Sequence, residues 1–154
     1  YYGASHTSSL DAYTAGGKDG FGLSNTANVE KFSLANSNSA TNHSTLTSAP
    51  NSRRVGMNND TYGFTSGGGS TNVIDRYVFA STASAVDHGD LDMNREACSG
   101  CSSTTSGYYM GGPHGSVPVG ASICKFSFVS NVTGTDHGDL STHLWNFGSA
   151  GCQQ

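Results

Sequence analysis

The chain has 154 residues, the length of one ordinary domain that can bury a core of its own. A formal net charge of −4 and a pI near 5.8 provide no basic surface for phosphates, which argues against nucleic-acid binding and against acidic membrane surfaces. No apolar run approaches the roughly eighteen residues that a membrane-spanning helix needs, so membrane insertion is not expected.

The composition favours a protein built from many short strands. Leu, Ile, Val and Phe make up only 25 of 154 residues, yet the high net charge that accompanies disorder is missing. The chain contains 21 Gly, seven Tyr and seven Phe, a mixture of turn formers and strand formers. We therefore predict an all-β fold.

The first landmark along the chain is an aromatic residue followed by a glycine pair. It occurs as YTAGG (13–17), FTSGG (64–68) and YYMGG (108–112). A strand that runs into a turn fits this pattern, because glycine permits positive φ and close backbone approach. The predicted turn glycines are Gly16, Gly17, Gly67, Gly68, Gly111 and Gly112.

The second landmark is an alternating segment with a basic residue: VEKFSL (29–34), IDRYVF (74–79) and ICKFSF (123–128). Alternation with period two predicts a strand. The alternation leaves open which face is the apolar one, because the basic residue shares a face with Val29, Ile74 or Ile123, whereas the aromatic residue lies opposite.

The third landmark is NHSTL (42–46) in the first copy and DHGDL in the two later copies, 87–91 and 136–140. It ends at Leu46, Leu91 and Leu140, each 14 residues after the aromatic residue of the second landmark. Fixed spacing here and variable spacing elsewhere predict one domain of three repeats, at about 4–51, 52–100 and 101–154. The first and last residues fall inside repeats, so we expect part of a larger array or closure by other copies of the chain.

These repeats resemble kelch-like blades, the units of β-propellers. The resemblance rests on the order Tyr-x-x-Gly-Gly, alternating strand, polar turn with Leu, and a basic residue before a Gly/Ser/Thr strand, as in NREACSGCSSTTSGYYMGG (94–112). It covers almost the whole chain, although the later Trp usual in that family is absent. It implies blades of four antiparallel strands, in a partial propeller or one closed by oligomerisation, for example six blades from two chains. The DHGDL variety also resembles repeats in structural proteins of marine phages and large viruses.

For the repeated polar residues we favour structural roles over metal binding. His43, His88 and His137 occupy equivalent positions on different blades, which favours polar turn residues over a shared metal site. For Asp87 and Asp136, side-chain bonds to nearby N–H groups are favoured over calcium binding. We therefore predict no metal and no cofactor.

Four cysteines could form disulfides or remain buried thiols, and the sequence leaves both alternatives open. They are Cys98, Cys101, Cys124 and Cys152, of which Cys101 and Cys152 follow glycines at roughly equivalent repeat positions.

No catalytic motif is present, so the sequence favours a non-enzymatic structural or adhesive protein of a virion or the extracellular space. We expect its partners to be copies of itself, other subunits, or a glycan or host surface. The alternative is a secreted carbohydrate-binding or carbohydrate-active propeller. Residues that break the repeat are the binding candidates in loops: Arg53, Arg54, Arg95, Tyr109, His114 and Trp145.

Overall fold

A computed structural model describes residues 3–20, 24–49, 53–69, 71–112 and 120–143. Within these ranges the chain forms twelve strands in three four-stranded antiparallel sheets and no helix, which confirms the all-β prediction. Over the same residues, no helix exists that could span a membrane.

The strands of each sheet follow one another along the chain. Sheet 1 contains β1 (Ala4–Thr7), β2 (Asp11–Ala15), β3 (Asn28–Ser33) and β4 (Thr41–Thr45). Sheet 2 contains β5 (Val55–Asn58), β6 (Tyr62–Ser66), β7 (Val73–Val78) and β8 (Val86–Asp90). Sheet 3 contains β9 (Ser99–Ser102), β10 (Ser106–Met110), β11 (Ser122–Ser127) and β12 (Thr135–Asp139). Each sheet is therefore an up-and-down meander, and β9 begins within the range predicted for the second repeat.

The registers of the three sheets match residue for residue. Tyr13 pairs with Lys31 in sheet 1, Phe64 with Arg76 in sheet 2, and Tyr108 with Lys125 in sheet 3. Positions in different sheets can therefore be compared directly. The glycine pairs that follow β2, β6 and β10 all have positive φ, for example 67° at Gly16 and 107° at Gly17.

The DHGDL segments lie in the fourth strands and not in turns, so the predicted location was wrong. Each fourth strand carries a β-bulge, and the glycine of DHGDL sits there with φ of 112° at Gly89 and 117° at Gly138. The predicted local side-chain bond is present: Gly89 N–H donates to Asp87 Oδ1 at 2.8 Å, and Gly138 N–H to Asp136 Oδ1 at 2.9 Å. The aspartates thus stabilise a bulge in a strand.

The sheets pack face to face, with their first strands adjacent, since β5 contacts both β1 and β9. A side chain at Gly56 would collide with the backbone of Ser5, and one at Gly100 would collide with Val55. Glycine at this repeated position therefore permits the close approach of neighbouring sheets.

Two hydrophobic clusters hold the three sheets together, one in each junction. The first junction, between sheets 1 and 2, contains Ala4, Tyr13, Ala15, Val29, Leu46, Tyr77, Phe79 and Ala85. The second junction, between sheets 2 and 3, contains Val55, Met57, Phe64, Ile74, Leu91, Cys98, Tyr109, Cys124, Phe126 and Phe128. Within the described part of the chain, sheet 2 consequently has neighbours on both faces, and sheets 1 and 3 each have one.

Candidate functional site

The repeated histidines connect one sheet to the next. His43 Nε2 lies 3.1 Å from the carbonyl oxygen of Val78, and His88 Nε2 lies 2.9 Å from that of Ser127. Because a carbonyl oxygen only accepts, each Nε2 donates, and the acceptors occupy the same position in β7 and β11. The prediction of polar turn residues was wrong for these histidines, which are strand residues that bond across a junction.

Aromatic rings repeat across the junctions with the same geometry. Tyr13 stacks on Phe79 with centroids 4.6 Å apart, and Phe64 stacks on Phe128 at 4.3 Å. His43 meets the Tyr13 ring edge-on with centroids 5.1 Å apart, and His88 meets the Phe64 ring in the same way at 5.0 Å. The histidine ring is thus part of the aromatic core and donates one hydrogen bond through it.

A backbone bond also recurs at the outer side of each junction. Ala85 N–H donates to the carbonyl of Thr45 at 2.8 Å, and Gly134 N–H donates to that of Asp90 at 2.7 Å. The donors precede β8 and β12 by one residue, and the acceptors end β4 and β8. Each junction therefore combines an aromatic pair, a histidine bond and this backbone bond.

Buried arginines reinforce the connections between sheets. Arg54 Nη1 lies 2.8 Å from Asp75 Oδ2, and both side chains are buried. Thr47 donates to Asp75 Oδ1 through its backbone N–H at 3.2 Å and its hydroxyl at 2.5 Å. Arg54 and Thr47 belong to the segment that links β4 to β5, so this cluster fixes the link between sheets 1 and 2.

Arg95 performs the corresponding task in the link between sheets 2 and 3. Its guanidinium donates to the Ser122 carbonyl at 2.9 Å, to Ser122 Oγ at 2.8 Å and to Asp92 Oδ2 at 3.0 Å. The Arg95 carbonyl in turn accepts a bond from the hydroxyl of Tyr109 at 3.1 Å. The guanidinium is buried and paired, which is the arrangement that a charge inside a protein requires.

The described cysteines are thiols that form no disulfide with one another. Burial raises the pKa of Cys98 and of Cys124 to about 12. The Cys98 thiol donates to the carbonyl of Gly111 at 2.9 Å. Thiolates are the reactive form of cysteine, so these two residues are packing groups and poor nucleophiles. Cys152 lies outside the described residues.

An open cleft of about 370 Å³ lies at the edge of the first junction. Its polar rim includes Asp11 and Lys31, whose charged groups are 3.5 Å apart, and its apolar wall includes Leu10 and Phe79. In the second junction the position of Asp11 is occupied by Tyr62, and the Arg76 guanidinium lies 4.8 Å from the centre of its ring. Tyr62 therefore fills this position in the second junction, whereas the smaller Asp11 side chain leaves it open in the first.

Of the six loop residues singled out from the sequence, the four that the structure describes do not line this cleft. Arg54 and Arg95 are buried in the links between sheets, and Tyr109 is a buried residue of β10, so its prediction as a loop residue was wrong. Arg53 is exposed and pairs with Glu96 at 3.3 Å. His114 and Trp145 lie outside the described residues. The buried members are engaged within the protein and offer little to a partner.

Sequence reasoning missed Asp11, although a signal for it existed. Its equivalents are Tyr62 and Ser106, so Asp11 breaks the repeat in the same way as the residues that were chosen. Within the described part of the chain, no three His, Cys, Asp or Glu side chains are arranged to hold a metal ion. No family model and no curated protein matches the chain.

Proposed function

We propose that the chain is a non-enzymatic structural and adhesive protein, a segment of a kelch-like β-propeller that serves in a virion appendage or on an extracellular surface. Three observations support the propeller. Each sheet is a four-stranded meander, the first strands are adjacent, and equivalent residues form each junction. First strands that lie side by side are those that would surround the axis of a propeller. The virion assignment rests on the resemblance of the DHGDL repeats.

The observation that carries the non-enzymatic function is that the reactive side chains are engaged in contacts within the protein. His43 and His88 each donate to a neighbouring sheet, the thiols of Cys98 and Cys124 are buried, and the Arg54 guanidinium is paired inside a link. The two histidines repeat with the sheets and are bonded into both described junctions, while the thiols and the guanidinium are enclosed within the fold, so these groups serve assembly of the array. A catalytic site would instead gather different groups in one cleft.

The open cleft favours a second function, binding of a glycan. It combines the charged pair of Asp11 and Lys31 with the hydroxyls of Ser8, Ser81 and Thr82, and sugars are recognised by such polar groups beside an apolar wall. Under this proposal the first junction presents the adhesive surface.

Turnover and binding assays test the two functions separately. We expect no hydrolysis of a panel of chromogenic glycosides, esters and phosphoesters by the purified chain. Saturable glycan binding on an array should weaken at least tenfold in Asp11→Asn and Lys31→Ala. Lys125→Ala is the matched control, because it changes the equivalent lysine of sheet 3, away from the cleft. Hydrolysis that disappears in Asp11→Asn would refute the non-enzymatic proposal, and binding unaltered in both cleft variants would refute the glycan site.

A further inference from the structure

The outer faces of sheets 1 and 3 carry the two halves of one more junction. Phe32 of β3 and Leu34, the residue directly after this strand, are 42% and 57% exposed. Their equivalents in sheet 2, Tyr77 and Phe79, are only 1% and 8% exposed because sheet 1 covers them. Sheet 1 therefore presents the half of a junction that Tyr77 and Phe79 form in sheet 2, and no described residue packs against it.

Sheet 3 presents the opposite half. His137 is exposed, and its ring lies 5.4 Å from that of Tyr108, much as His43 lies beside Tyr13 and His88 beside Phe64. Leu140 is only partly covered, whereas its equivalents Leu46 and Leu91 are buried. On sheet 3, the side chains that receive the next sheet in the two internal junctions are thus in place and are either exposed or only partly buried.

A cleft of about 440 Å³ opens beside Glu30 on the outer face of sheet 1. Glu30 is the equivalent of Asp75, which in sheet 2 is covered by Arg54 from the preceding link. No described residue therefore covers the polar part of this face, whereas Arg54 covers the same position in sheet 2.

We propose that two copies of this chain associate through these faces, sheet 3 of each copy packing on sheet 1 of the other, to close a six-bladed ring. The inference rests on the proposed propeller. Propellers have about four to eight blades, and two copies of the three described sheets supply six, which lies in that range. The two junctions of such a pair are related by a twofold axis and are identical.

The repeated bonds specify the contacts that the new junction makes. His137 Nε2 donates to the carbonyl of Ser33 in the second copy, as His43 donates to Val78 and His88 to Ser127. Ala40 N–H donates to the carbonyl of Asp139, as Ala85 donates to Thr45. Leu34 lies against Tyr108, in the place that Phe79 takes against Tyr13.

Native mass spectrometry of the 154-residue chain and of three variants tests the proposal. We expect the unaltered chain at about twice 15.9 kDa. Leu34→Glu and His137→Glu should each give single chains, because each charge lies in both junctions of the pair. Val129→Glu is the matched control, since Val129 is 82% exposed in the loop between β11 and β12 and outside the two faces. Circular dichroism should show the same fold in all variants, because the changed side chains are exposed in the single chain.

Mixing the two face variants gives the sharper test. One copy of Leu34→Glu and one of His137→Glu can form one junction with both changes and one with none, so the mixture should recover a two-chain species. Hydrogen exchange at the amide of Ala40 should be slow in the unaltered pair and at least tenfold faster in either single variant.

Several results would overturn the proposal: single chains only, masses above two chains, a pair that persists in both face variants, or a mixture that stays monomeric. The turnover and glycan assays above can be run on monomeric Leu34→Glu, so failure of the ring leaves the proposed function separately tested. A ring combined with turnover in the cleft would refute the non-enzymatic function alone.

Discussion

Acidification should destabilise the fold through His6, a buried histidine at the first junction. Its Nε2 donates to the carbonyl of Phe64 at 2.8 Å and lies 3.3 Å from the hydroxyl of Thr65. The edge of the His6 ring meets Tyr77, with centroids 5.4 Å apart. Among the described residues no group bonds to Nδ1, so a proton added there would be a buried charge without an acceptor.

The magnitude follows from the shift in the pKa. Burial lowers the pKa of His6 from 6.5 to about 4, and the bond to Phe64 opposes this only in part. Because the unfolded chain binds the proton first as the pH falls, stability is fully present above pH 6.5 and is lost between 6.5 and about 4. At about 1.4 kcal/mol per pKa unit, the loss is about 3 kcal/mol. Burial also lowers the pKa of His88, which acts in the same direction.

Urea denaturation at pH 7, 5.5 and 4, at one protein concentration, measures this loss. We expect the free energy of unfolding to fall along this series and the fall to shrink by about 3 kcal/mol in His6→Gln. Val129→Gln, which changes an exposed side chain without a titratable group, is the control and should keep the slope of the unaltered chain. An equal slope in His6→Gln and the unaltered chain would show that His6 does not titrate in this range and would refute the reasoning.

Three further predictions concern the links, the close sheet contact and the thiols. Arg54→Ala should lower the free energy of unfolding by about 3–5 kcal/mol, because it leaves the buried Asp75 carboxylate without its partner. Arg53→Ala, which removes an exposed ion pair, should lower it by about 1 kcal/mol or less. Equal losses in urea denaturation would contradict this. Gly56→Ala should lower the melting temperature in calorimetry, since its Cβ would collide with backbone, and an unchanged melting temperature would argue against the described packing. Cys98 and Cys124 should be modified by a thiol reagent at pH 8 at least tenfold more slowly in the folded than in the urea-unfolded chain, as followed by peptide mass spectrometry; equal rates would disprove their burial.

Much of the local structure could be predicted from the sequence, because local patterns set it. Period-two alternation marked β3, β7 and β11, and the aromatic residue with its glycine pair marked the ends of β2, β6 and β10. Fixed spacing gave the repeat. These features depend on backbone preferences and on side chains within one sheet, which the sequence displays directly.

The apolar face of the third strands could not be decided from the sequence, and the structure supplies the reason. In β7, Ile74 faces sheet 3 whereas Tyr77 faces sheet 1, and both are buried because sheet 2 lies between two neighbours. In β3 the equivalent of Tyr77, Phe32, is exposed. A strand with neighbours on both faces has no single apolar side for a pattern to reveal.

The candidate cleft was missed for a related reason. It depends on Asp11 being smaller than Tyr62 at the same position, and on Phe79 arriving from the neighbouring sheet. Neither the space nor the complete apolar wall exists within one repeat, so only packing between repeats could show the cleft.

The DHGDL pentapeptide separates what the sequence determined from what the tertiary structure decided. Its residues are the same in β8 and β12, and in both strands they produce the same bulge and the same aspartate bond to the glycine N–H. Yet His88 is buried and bonded to Ser127, whereas His137 is exposed. Local sequence fixes the bond between neighbours in the chain, but burial and the histidine's partner depend on which sheet lies against its own, and that is decided only when the sheets pack.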